Sequence, residues 1–489
     1  MSSCGLKGPL CSSLSRLSFL SKLILDWNPI SYLPPNFLVN SSCLVSLSLR
    51  YCNLNGHFPT GILLLPKIQS IDISSNHQLM GQLPEFSSNN SLQSLSLSFT
   101  NFSGKLPESI GNLKFLTNLD LSDCNFFGPI PSSIANLSHL VNLDLRSSKL
   151  SGSVYSSLFT LPSLKILYLG ENQLVGKIDE FPNASSSLIQ ELYIGNNYLT
   201  GTIPKSILQL PRLEGLYIRG NSFSSMKLDM FVQLKNLRTL SLNNISLLIE
   251  SDSRSLTFPQ LETLRLWLCN LTEFPEFIKQ DKLLMLDLSN NHIHGIVPNW
   301  LWESSLSMVN LSFNMIDFPK RLPLNDANFS FSMLRELDLR SCNISAFPEF
   351  LKSQENLEYL DLSNNKISGA IPNWVWKKSL LYLYLANNLL SSLDQLLPNQ
   401  SSTSSQDSFY FHASYNNLSG PIPNWLCNMS QLVSFDVSYN NLSGPIPNWL
   451  CNMSQLGSFD VSYNNLSGPI PNCLGNMSAL YFLNLQGNN

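Results

Sequence analysis

The sequence predicts a solenoid, a mostly β and loop member of the α/β class in which one short structural unit is stacked on itself many times. Residues 441–464 repeat residues 417–440 with a single change, from Val433 to Gly457. A looser third copy starts at Asn465. Copying of this fidelity at a fixed period of 24 residues indicates that each copy is one unit packed against its neighbours.

The repeated unit reads L-x-x-L-x-L-x-x-N-x-L-x-G-x-I-P from its first apolar position, which is the pattern of a leucine-rich repeat. Apolar and polar residues alternate in its first part, so this part predicts a short strand with its leucines inward. We expect successive strands to pair in parallel and their outward residues to line a concave sheet. Asparagine suits the ninth position because its amide both donates to and accepts from backbone groups at a bend.

The repeats extend along the whole chain. Nineteen full repeats can be placed, the first from Leu20 and the last from Leu456. They predict one domain, residues 1–489, that forms a right-handed superhelix or horseshoe of about 20 repeats. Its irregular repeats fall at 224–260, 316–333 and 391–407. Because no polar cap covers either end, we expect a chain truncated at both ends.

Composition and motifs exclude several classes of function. The chain of 489 residues has a net charge of −4, so it lacks the excess of positive charge that favours binding to nucleic acid or to an anionic membrane. No apolar run approaches the roughly 18 residues of a membrane span. The sequence has no phosphate-binding loop, no G-x-S-x-G elbow and no Cys/His cluster with metal-ligand spacing. We therefore predict a protein that is not an enzyme and that needs no cofactor or metal.

The segment L-x-G-x-I-P resembles the plant-specific leucine-rich repeat of receptor kinases, receptor-like proteins and secreted polygalacturonase inhibitors. The stretches Met226–Leu248 and Cys269–Leu288 resemble the middle of the ectodomain of plant receptor-like proteins, the disease-resistance class that has no kinase domain. This resemblance covers essentially the whole chain. It implies an ectodomain on the extracellular face of the plasma membrane, which binds a ligand in immune or developmental signalling.

The same resemblance implies an extracellular peptide, protein or glycan as ligand, and a leucine-rich-repeat kinase as co-receptor or adaptor. Two alternatives stay open at the level of sequence. One is the ectodomain of a leucine-rich-repeat receptor kinase. The other is a secreted inhibitor of a cell-wall hydrolase, which the large number of repeats disfavours.

Seven of the ten cysteines fall into two groups. Five replace the asparagine at the ninth position, and they are Cys4, Cys52, Cys124, Cys269 and Cys342. They lie two or more repeats apart, about 10 Å by strand spacing, which is beyond the roughly 7 Å that a disulfide tolerates. We predict that these five are buried structural thiols. Cys427 and Cys451 share one column of adjacent repeats, and a disulfide between them stays open.

Seventeen N-x-[S/T] sites occur in the sequence, and most fall in two columns of the repeat. One column follows the ninth position and the other lies on the convex side. The resulting candidates for N-glycosylation are Asn40, Asn101, Asn136, Asn270, Asn343, Asn417, Asn428, Asn441, Asn452, Asn465 and Asn476. Glycans in these columns would leave most of the concave face free, which favours an extracellular solenoid.

Aromatic and cationic residues mark one part of the predicted concave face. The predicted ligand-binding residues are Tyr168, Tyr193, Tyr217, Arg219, Arg265 and Trp267. Tyrosine, tryptophan and arginine dominate the energetics of interfaces, and alternation points all six side chains outward. The alternative is that the tyrosines only stabilise neighbouring strands. A second aromatic group, Tyr382, Tyr384, Tyr410 and His412, is the next candidate.

Overall fold

A computed structural model of the chain describes residues 5–10, 14, 16–248, 257–275, 281–298, 301, 305–318, 333–376, 379–393 and 408–489. The chain divides into two compact units, Met1–Leu261 and Glu262–Asn489. Of the irregular segments expected from the sequence, most of 316–333 and most of 391–407 lie outside the described residues, whereas 224–260 is described except for 249–256. The assignment of residues 1–489 to a single domain stays a prediction.

The first unit contains one parallel sheet to which each repeat contributes one strand, and we call it the main sheet of that unit. Neighbouring strands pair at equal repeat positions, so that Leu119 lies opposite Leu143 and Leu143 opposite Leu167. The predicted parallel strands are thus confirmed. In order they are Lys22–Ile24, Ser46–Ser48, Ser70–Asp72, Ser94–Ser96, Asn118–Asp120, Asn142–Asp144, Ile166–Tyr168, Glu191–Tyr193, Gly215–Tyr217 and Thr239–Ser241.

A second set of short parallel strands follows the bend of each repeat in the first unit. Eight of them form one sheet: Asn55–His57, Asn76–Gly81, Thr100–Gly104, Asn125–Pro129, Lys149–Gly152, Gln173–Gly176, Tyr198–Gly201 and Ser222–Phe223. Met226–Lys227 and Leu247–Leu248 form a separate pair. The helical turns are Thr60–Leu64, Glu108–Asn112, Ser132–Asn136, Ser156–Thr160, Ala184–Ser186 and Leu228–Gln233, all 3₁₀, and the α-helical Lys205–Leu208.

The second unit has the same plan. The strands of its main sheet are Thr263–Arg265, Met285–Asp287, Met308–Asn310, Glu336–Asp338, Tyr359–Asp361, Tyr382–Tyr384, Phe409–His412, Leu432–Asp436, Ser458–Asp460 and Phe482–Asn484. Its shorter pairings join His294–Ile296 to Met315–Asp317, Ser368–Ala370 to Leu389–Ser392, and Ser419–Gly420, Asn441–Gly444 and Asn465–Leu466 to one another. Its 3₁₀ turns are Glu349–Ser353, Asn373–Val375, Asn424–Asn428, Asn448–Asn452 and Asn472–Asn476.

The core lies behind each main sheet and is built from the repeated apolar positions. Leu116, Leu119 and Leu121 of one repeat are buried, as are Ile134 and Leu137 that close it. Each buried leucine or isoleucine contributes about 1.5–3 kcal/mol relative to an exposed one. The residues between these leucines point away from the core. They form what we call the open face of the main sheet, the face that the sequence predicts as concave.

The ninth position of the repeat confirms the role expected for asparagine. The side chain of Asn291 donates hydrogen bonds to the carbonyl oxygens of Leu266 and Leu288 at 2.8 Å. Its own Oδ1 accepts from the backbone N–H groups of Cys269 and Leu271 at 2.9 and 3.0 Å. Each such asparagine therefore ties the bend of its own repeat to the bend of the preceding one.

Cysteine at the ninth position keeps only part of this network. Cys52, Cys124, Cys269 and Cys342 are buried thiols, as predicted, and Cys4 lies outside the described residues. The thiol of Cys124 donates to the carbonyl oxygen of Leu97, with a sulfur–oxygen distance of 3.1 Å. Burial raises the pKa of this thiol to about 11. It therefore stays protonated and remains a hydrogen-bond donor.

The disulfide of the last repeats differs from the pairing that the sequence left open. Cys451 is bonded to Cys473 with a Cα–Cα distance of 5.7 Å, and Cys427 is free and exposed. Cys473 lies two positions earlier in its 3₁₀ turn than Cys451 does in the preceding turn. The bond therefore runs diagonally between neighbouring turns rather than along one column. Cys451 is thereby unavailable to Cys427.

Candidate ligand-binding face

Three tyrosines form a continuous row on the open face of the first unit. Tyr168 pairs in register with Tyr193, and Tyr193 pairs with Tyr217. The ring centroids are 6.3 and 5.9 Å apart, with interplanar angles of 76° and 68°. Edge-to-face pairs of this kind contribute about 0.5–1.5 kcal/mol each beyond the area that they bury. The row expected from the sequence is therefore present, and its members support one another.

Tyr193 lies on the open face, as expected from alternation, but its ring is largely covered. Only 9% of the residue is exposed. Its ring lies across two glycines, because a Cβ atom would come within 2.6 Å of the ring at Gly170 and within 2.8 Å at Gly195. The ring fits there because glycine has no side chain, and any larger residue at position 170 or 195 would collide with it. Tyr193 therefore supports the face from within.

The hydroxyl group of Tyr193 joins a polar network at the centre of the row. It donates to Oε1 of Glu171 at 2.6 Å, and Nη2 of Arg219 approaches the same hydroxyl oxygen at 3.4 Å. Ser147 donates to the other carboxylate oxygen at 2.8 Å. The hydrogen bond from Tyr193, helped by Ser147 and Arg219 against the effect of burial, lowers the pKa of Glu171. Glu171 is therefore an ionised acceptor near neutral pH.

Tyr168 and Tyr217 are half-buried and flank Tyr193 on either side. The guanidinium carbon of Arg146 lies 4.5 Å from the ring centroid of Tyr168, within cation–π distance. Two hydrogen bonds to Asp144, from Nη2 at 2.7 Å and from Nε at 3.0 Å, hold this guanidinium in place. We call Tyr168, Glu171, Tyr193, Tyr217 and Arg219 the tyrosine patch. Sequence reasoning missed Glu171 because it lies at the eighth position, outside the strand.

A polar cavity adjoins the start of the same strands. Its volume is about 460 Å³. Its lining residues are Gln190, Arg212, Glu214, Asn236, Arg238 and Gln260. Arg238 pairs with Glu214 at 3.5 Å, and Asn236 donates to the carbonyl oxygen of Pro211 at 2.7 Å. The cavity offers mainly amide and guanidinium groups next to the tyrosine patch.

The two remaining predicted residues, Arg265 and Trp267, belong to the second unit. Arg265 ends the strand Thr263–Arg265, and its Nη2 lies 3.3 Å from the sulfur of Met285. Both residues are half-buried on the open face. Their contact with a ligand stays a prediction, as it does for the four predicted residues of the first unit.

The second aromatic group is also assembled, within the second unit. Tyr382 stacks on Tyr410 with centroids 4.8 Å apart, and the rings of Tyr384 and His412 lie 5.2 Å apart. Burial lowers the pKa of His412 against the opposing effect of Asp436. This group therefore presents aromatic rings and a largely uncharged imidazole at neutral pH.

One arrangement in the second unit resembles a catalytic triad, because the side chain of His412 lies between those of Ser434 and Asp436. The Oγ of Ser434 lies 3.2 Å from Nε2 of His412, and Asp436 lies 3.9 Å from Nδ1. However, Ser434 is only 6% exposed, so its hydroxyl is not presented to a substrate carbonyl. This arrangement gives no support for a catalytic role.

A further aromatic row was not foreseen from the sequence. Tyr415, Tyr439 and Tyr463 stack face to face, with both centroid distances at 4.3 Å. All three have positive φ and sit at the eighth position, where the chain bends after the strand. The identical S-Y-N triplets of the last repeats are the sequence signal that could have indicated this row.

All eleven candidate glycosylation sites have exposed side chains. When the chain is expressed behind a secretory signal, we expect most of these sites to carry glycans, Asn101 and Asn136 among them. Glycopeptide mapping by mass spectrometry measures the occupancy of each site. Asn310, which is half-buried on the open face, serves as an internal comparison of lower expected occupancy. Largely empty sites at Asn101 and Asn136 in a well-secreted product would contradict an extracellular location.

Within the described residues, no group of three or more histidine, cysteine, aspartate or glutamate side chains could hold a metal ion. Across the same part of the chain, no helix has the length and apolar character needed to span a membrane.

Comparison with protein families identifies the repeats. Two family models, both described as leucine-rich repeat, together match more than half of the chain. The matched residues are 187–247, 259–316 and 332–390 for one, and 91–113, 115–137, 409–429, 431–453 and 455–477 for the other.

Curated relatives are receptor-like proteins of Arabidopsis thaliana. Receptor-like protein 6 is 38% identical over 484 residues, an alignment that covers 81% of this chain and 47% of the relative. Receptor-like protein 41 is 32% identical over 452 residues and covers 88% of this chain and 43% of the relative. The chain thus spans about half the length of these relatives.

Solved structures with a similar fold include plant receptors. The ectodomain of the Arabidopsis receptor kinase HAESA, solved with an N-terminally extended IDA peptide hormone, is 29% identical with a TM-score of 0.64. The match covers all of this chain and 85% of that one. The plant peptide hormone receptor RGFR1, solved with RGF2, is 25% identical with a TM-score of 0.63 and coverages of 100% and 89%.

Proposed function

This chain belongs to the leucine-rich-repeat family and is homologous to the plant receptor-like proteins, and from that premise we propose that it is the ligand-binding part of a cell-surface receptor. In this proposal the chain works outside the plasma membrane and binds a peptide, protein or glycan. A partner receptor kinase then transmits the signal in immunity or development. Support for a peptide ligand comes from HAESA and RGFR1, which were solved with peptide hormones. Support for a kinase partner comes from HAESA, which was also solved with the co-receptor SERK1.

The observation that carries the proposal is the tyrosine patch on the open face of the first unit. Tyr168 and Tyr217 are half-buried beside a preorganised carboxylate, Glu171, and a guanidinium, Arg219. Tyrosine and arginine are among the side chains that give interfaces most of their binding energy. Because Tyr193 holds the row from below, the flanking rings are positioned before a ligand arrives, which reduces the entropy cost of binding.

We expect Tyr217→Ala to weaken ligand binding by about 1–3 kcal/mol, the effect of losing one aromatic hot spot. The ligand for this measurement is a peptide selected from a displayed library against the full chain, and its affinity is measured by calorimetry. Tyr168→Ala should act in the same direction. Trp267→Ala and Arg265→Ala test the predicted residues of the second unit in the same assay.

Tyr198→Ala is the matched control, because Tyr198 is a tyrosine of the same unit that is 61% exposed and lies outside the main sheet. Its substitution should leave the affinity unchanged. If selected ligands bind a Tyr168→Ala/Tyr217→Ala double variant as tightly as the wild type, the tyrosine patch is not the binding site. The same affinity measurements would then be made on alanine variants of the second aromatic group, which is Tyr382, Tyr384, Tyr410 and His412.

A further inference from the structure

Glu191 is a carboxylate on the open face, and among the described residues its Oε2 has no hydrogen-bond partner. It begins the strand Glu191–Tyr193, two residues before Tyr193, so both side chains lie on the same face of the sheet. Its Oε2 is buried and makes no hydrogen bond, and no ion pair to Glu191 is found within the described residues. The neighbouring Glu171 and Glu214 differ, because Glu171 is hydrogen-bonded and Glu214 is paired with Arg238.

A glycine in the next repeat makes room for this carboxylate. Gly215 lies directly opposite Glu191 in the register of the sheet. A Cβ atom at position 215 would lie 2.7 Å from Cδ of Glu191 and would also clash with Oε2. Among the main-sheet strands that the structure describes, Gly215 is the one glycine at the third repeat position. The carboxylate therefore rests over backbone in a notch that other repeats do not have.

The electrostatics of this notch favour a positive charge. Burial raises the pKa of Glu191, and the nearby charge of Glu214 raises it further. Tyr168 lies diagonally across from Glu191 on the preceding strand, because Ile166 is the register partner of Glu191 and Tyr168 is that of Tyr193. After burial, the charge of Glu191 is the next cause that raises the pKa of Tyr168. Oε2 itself is covered, but Glu191 as a whole is half-buried, so a cation approaches the carboxylate from its solvent-facing side. The charge of that cation would offset the cost of a carboxylate that lacks a partner among the described residues. The polar cavity begins at Gln190, the preceding residue, and leaves space for the rest of a ligand.

We propose that Glu191 and the hydroxyl group of Tyr168 form a subsite for an organic cation of the ligand. The cation is a lysine or arginine side chain or the N-terminal ammonium of a peptide, all of which are N–H donors with a positive charge. It donates to the carboxylate of Glu191 and to the phenol oxygen of Tyr168. The subsite rests on the proposed function, because it assigns a ligand class to one end of the tyrosine patch.

Four matched pentapeptides test the subsite on the full chain. Three are cationic: acetyl-Gly-Gly-Lys-Gly-Gly-amide, its arginine counterpart, and pentaglycine amide with a free amino terminus. The fourth is neutral, with glutamine in place of lysine. Affinities are measured by saturation-transfer NMR. We expect at least one cationic peptide to bind the wild type about tenfold more tightly than the neutral peptide, the effect of one charge-assisted hydrogen bond. The strongest binder identifies which cation the notch accepts.

Glu191→Gln should abolish this preference, because the neutral amide keeps the shape and loses the charge. Glu336→Gln is the matched control, since Glu336 occupies the same repeat position and is exposed. It should leave all four affinities unchanged. The melting temperature of Glu191→Gln should equal or exceed that of the wild type, because the substitution removes a desolvated charge. A melting temperature clearly below the wild type would show a structural carboxylate and overturn the subsite.

Two other results would also overturn it. One is an absence of preference for any cationic peptide over the neutral one in the wild type. The other is a preference that Glu191→Gln retains. Neither result bears on the proposal that the tyrosine patch binds the ligand, which is contradicted only if the display-selected ligand binds the Tyr168→Ala/Tyr217→Ala variant normally.

Discussion

Replacing Asn76 by alanine is expected to lower the free energy of unfolding by about 4 kcal/mol or more. The side chain is fully buried, and its Oδ1 accepts from the backbone N–H groups of Cys52 and Leu54, both at 3.0 Å. Its Nδ2 donates to three backbone carbonyl oxygens, those of Leu49, Ile73 and Ser74. Alanine removes a partner from all five backbone groups, although the carbonyl of Ser74 still accepts from the N–H group of Tyr51. Each buried group left unsatisfied costs about 1–3 kcal/mol before the structure relaxes.

The measurement is urea denaturation of the full chain, combined with hydrogen exchange of the affected amides. The N–H groups of Cys52 and Leu54 should exchange faster in Asn76→Ala, because they lose their acceptor. Asn55→Ala is the matched control, since Asn55 is exposed and lies in the strand Asn55–His57 of the same unit. It should change stability by less than about 0.5 kcal/mol. An Asn76→Ala variant as stable as this control would show that water replaces the amide.

The stacking of the repeats could be predicted from sequence because its determinants recur at a fixed spacing. Leu119 and Leu143 hold the same position in successive units, and the structure pairs them in register. The asparagine network follows from the same periodicity, since Asn291 meets the bend of its neighbour wherever the period is kept. A solenoid has few contacts other than those between adjacent units, so the period alone determines most of them.

The state of Tyr193 could not be predicted in this way because it depends on two columns at once. A tyrosine at the fifth position is exposed or buried according to the residues at the seventh position of its own and the preceding repeat. Here these are Gly195 and Gly170, and the ring settles over both. Reading each column separately gives a row of outward tyrosines but does not reveal the glycines beneath the middle one. The notch at Glu191 is a second case, since it exists only because the next repeat has Gly215.

The disulfide was missed for a related reason. The sequence comparison aligned Cys427 with Cys451 because the two repeats are near copies. Cys473 belongs to the looser third copy and occupies a different position in its turn. Neighbouring turns meet diagonally, so the pair with a Cα–Cα distance of 5.7 Å is Cys451 and Cys473. Two residues at the same repeat position are therefore less certain to be neighbours on the turns than on the strands.

Tyr193→Ala is expected to destabilise the chain by about 4 kcal/mol, as large-to-small changes at buried aromatic positions do. The ring fills the space over Gly170 and Gly195, and neither glycine carries a side chain that could refill it. The change is measured by urea denaturation of the full chain. Tyr198→Ala, at a tyrosine that is 61% exposed, should cost less than about 0.5 kcal/mol. Equal stabilities of the two variants would mean that Tyr193 is a surface ring after all.

Tyr193→Phe separates the hydroxyl group from the ring. It keeps the packing and removes the 2.6 Å hydrogen bond to Glu171, so we expect the free energy of unfolding to fall by about 1.5 kcal/mol at neutral pH.

The pKa of Glu171 is lowered in the folded state, first by this hydrogen bond. The contribution of the bond is therefore complete above the pKa of the unfolded carboxyl, about 4.3, and is lost as the pH falls through the lower folded value. The stability difference between wild type and Tyr193→Phe should narrow as the pH falls below about 4. A difference that stays constant from pH 7 to pH 3 would show that the hydroxyl acts through packing and not through the charge of Glu171.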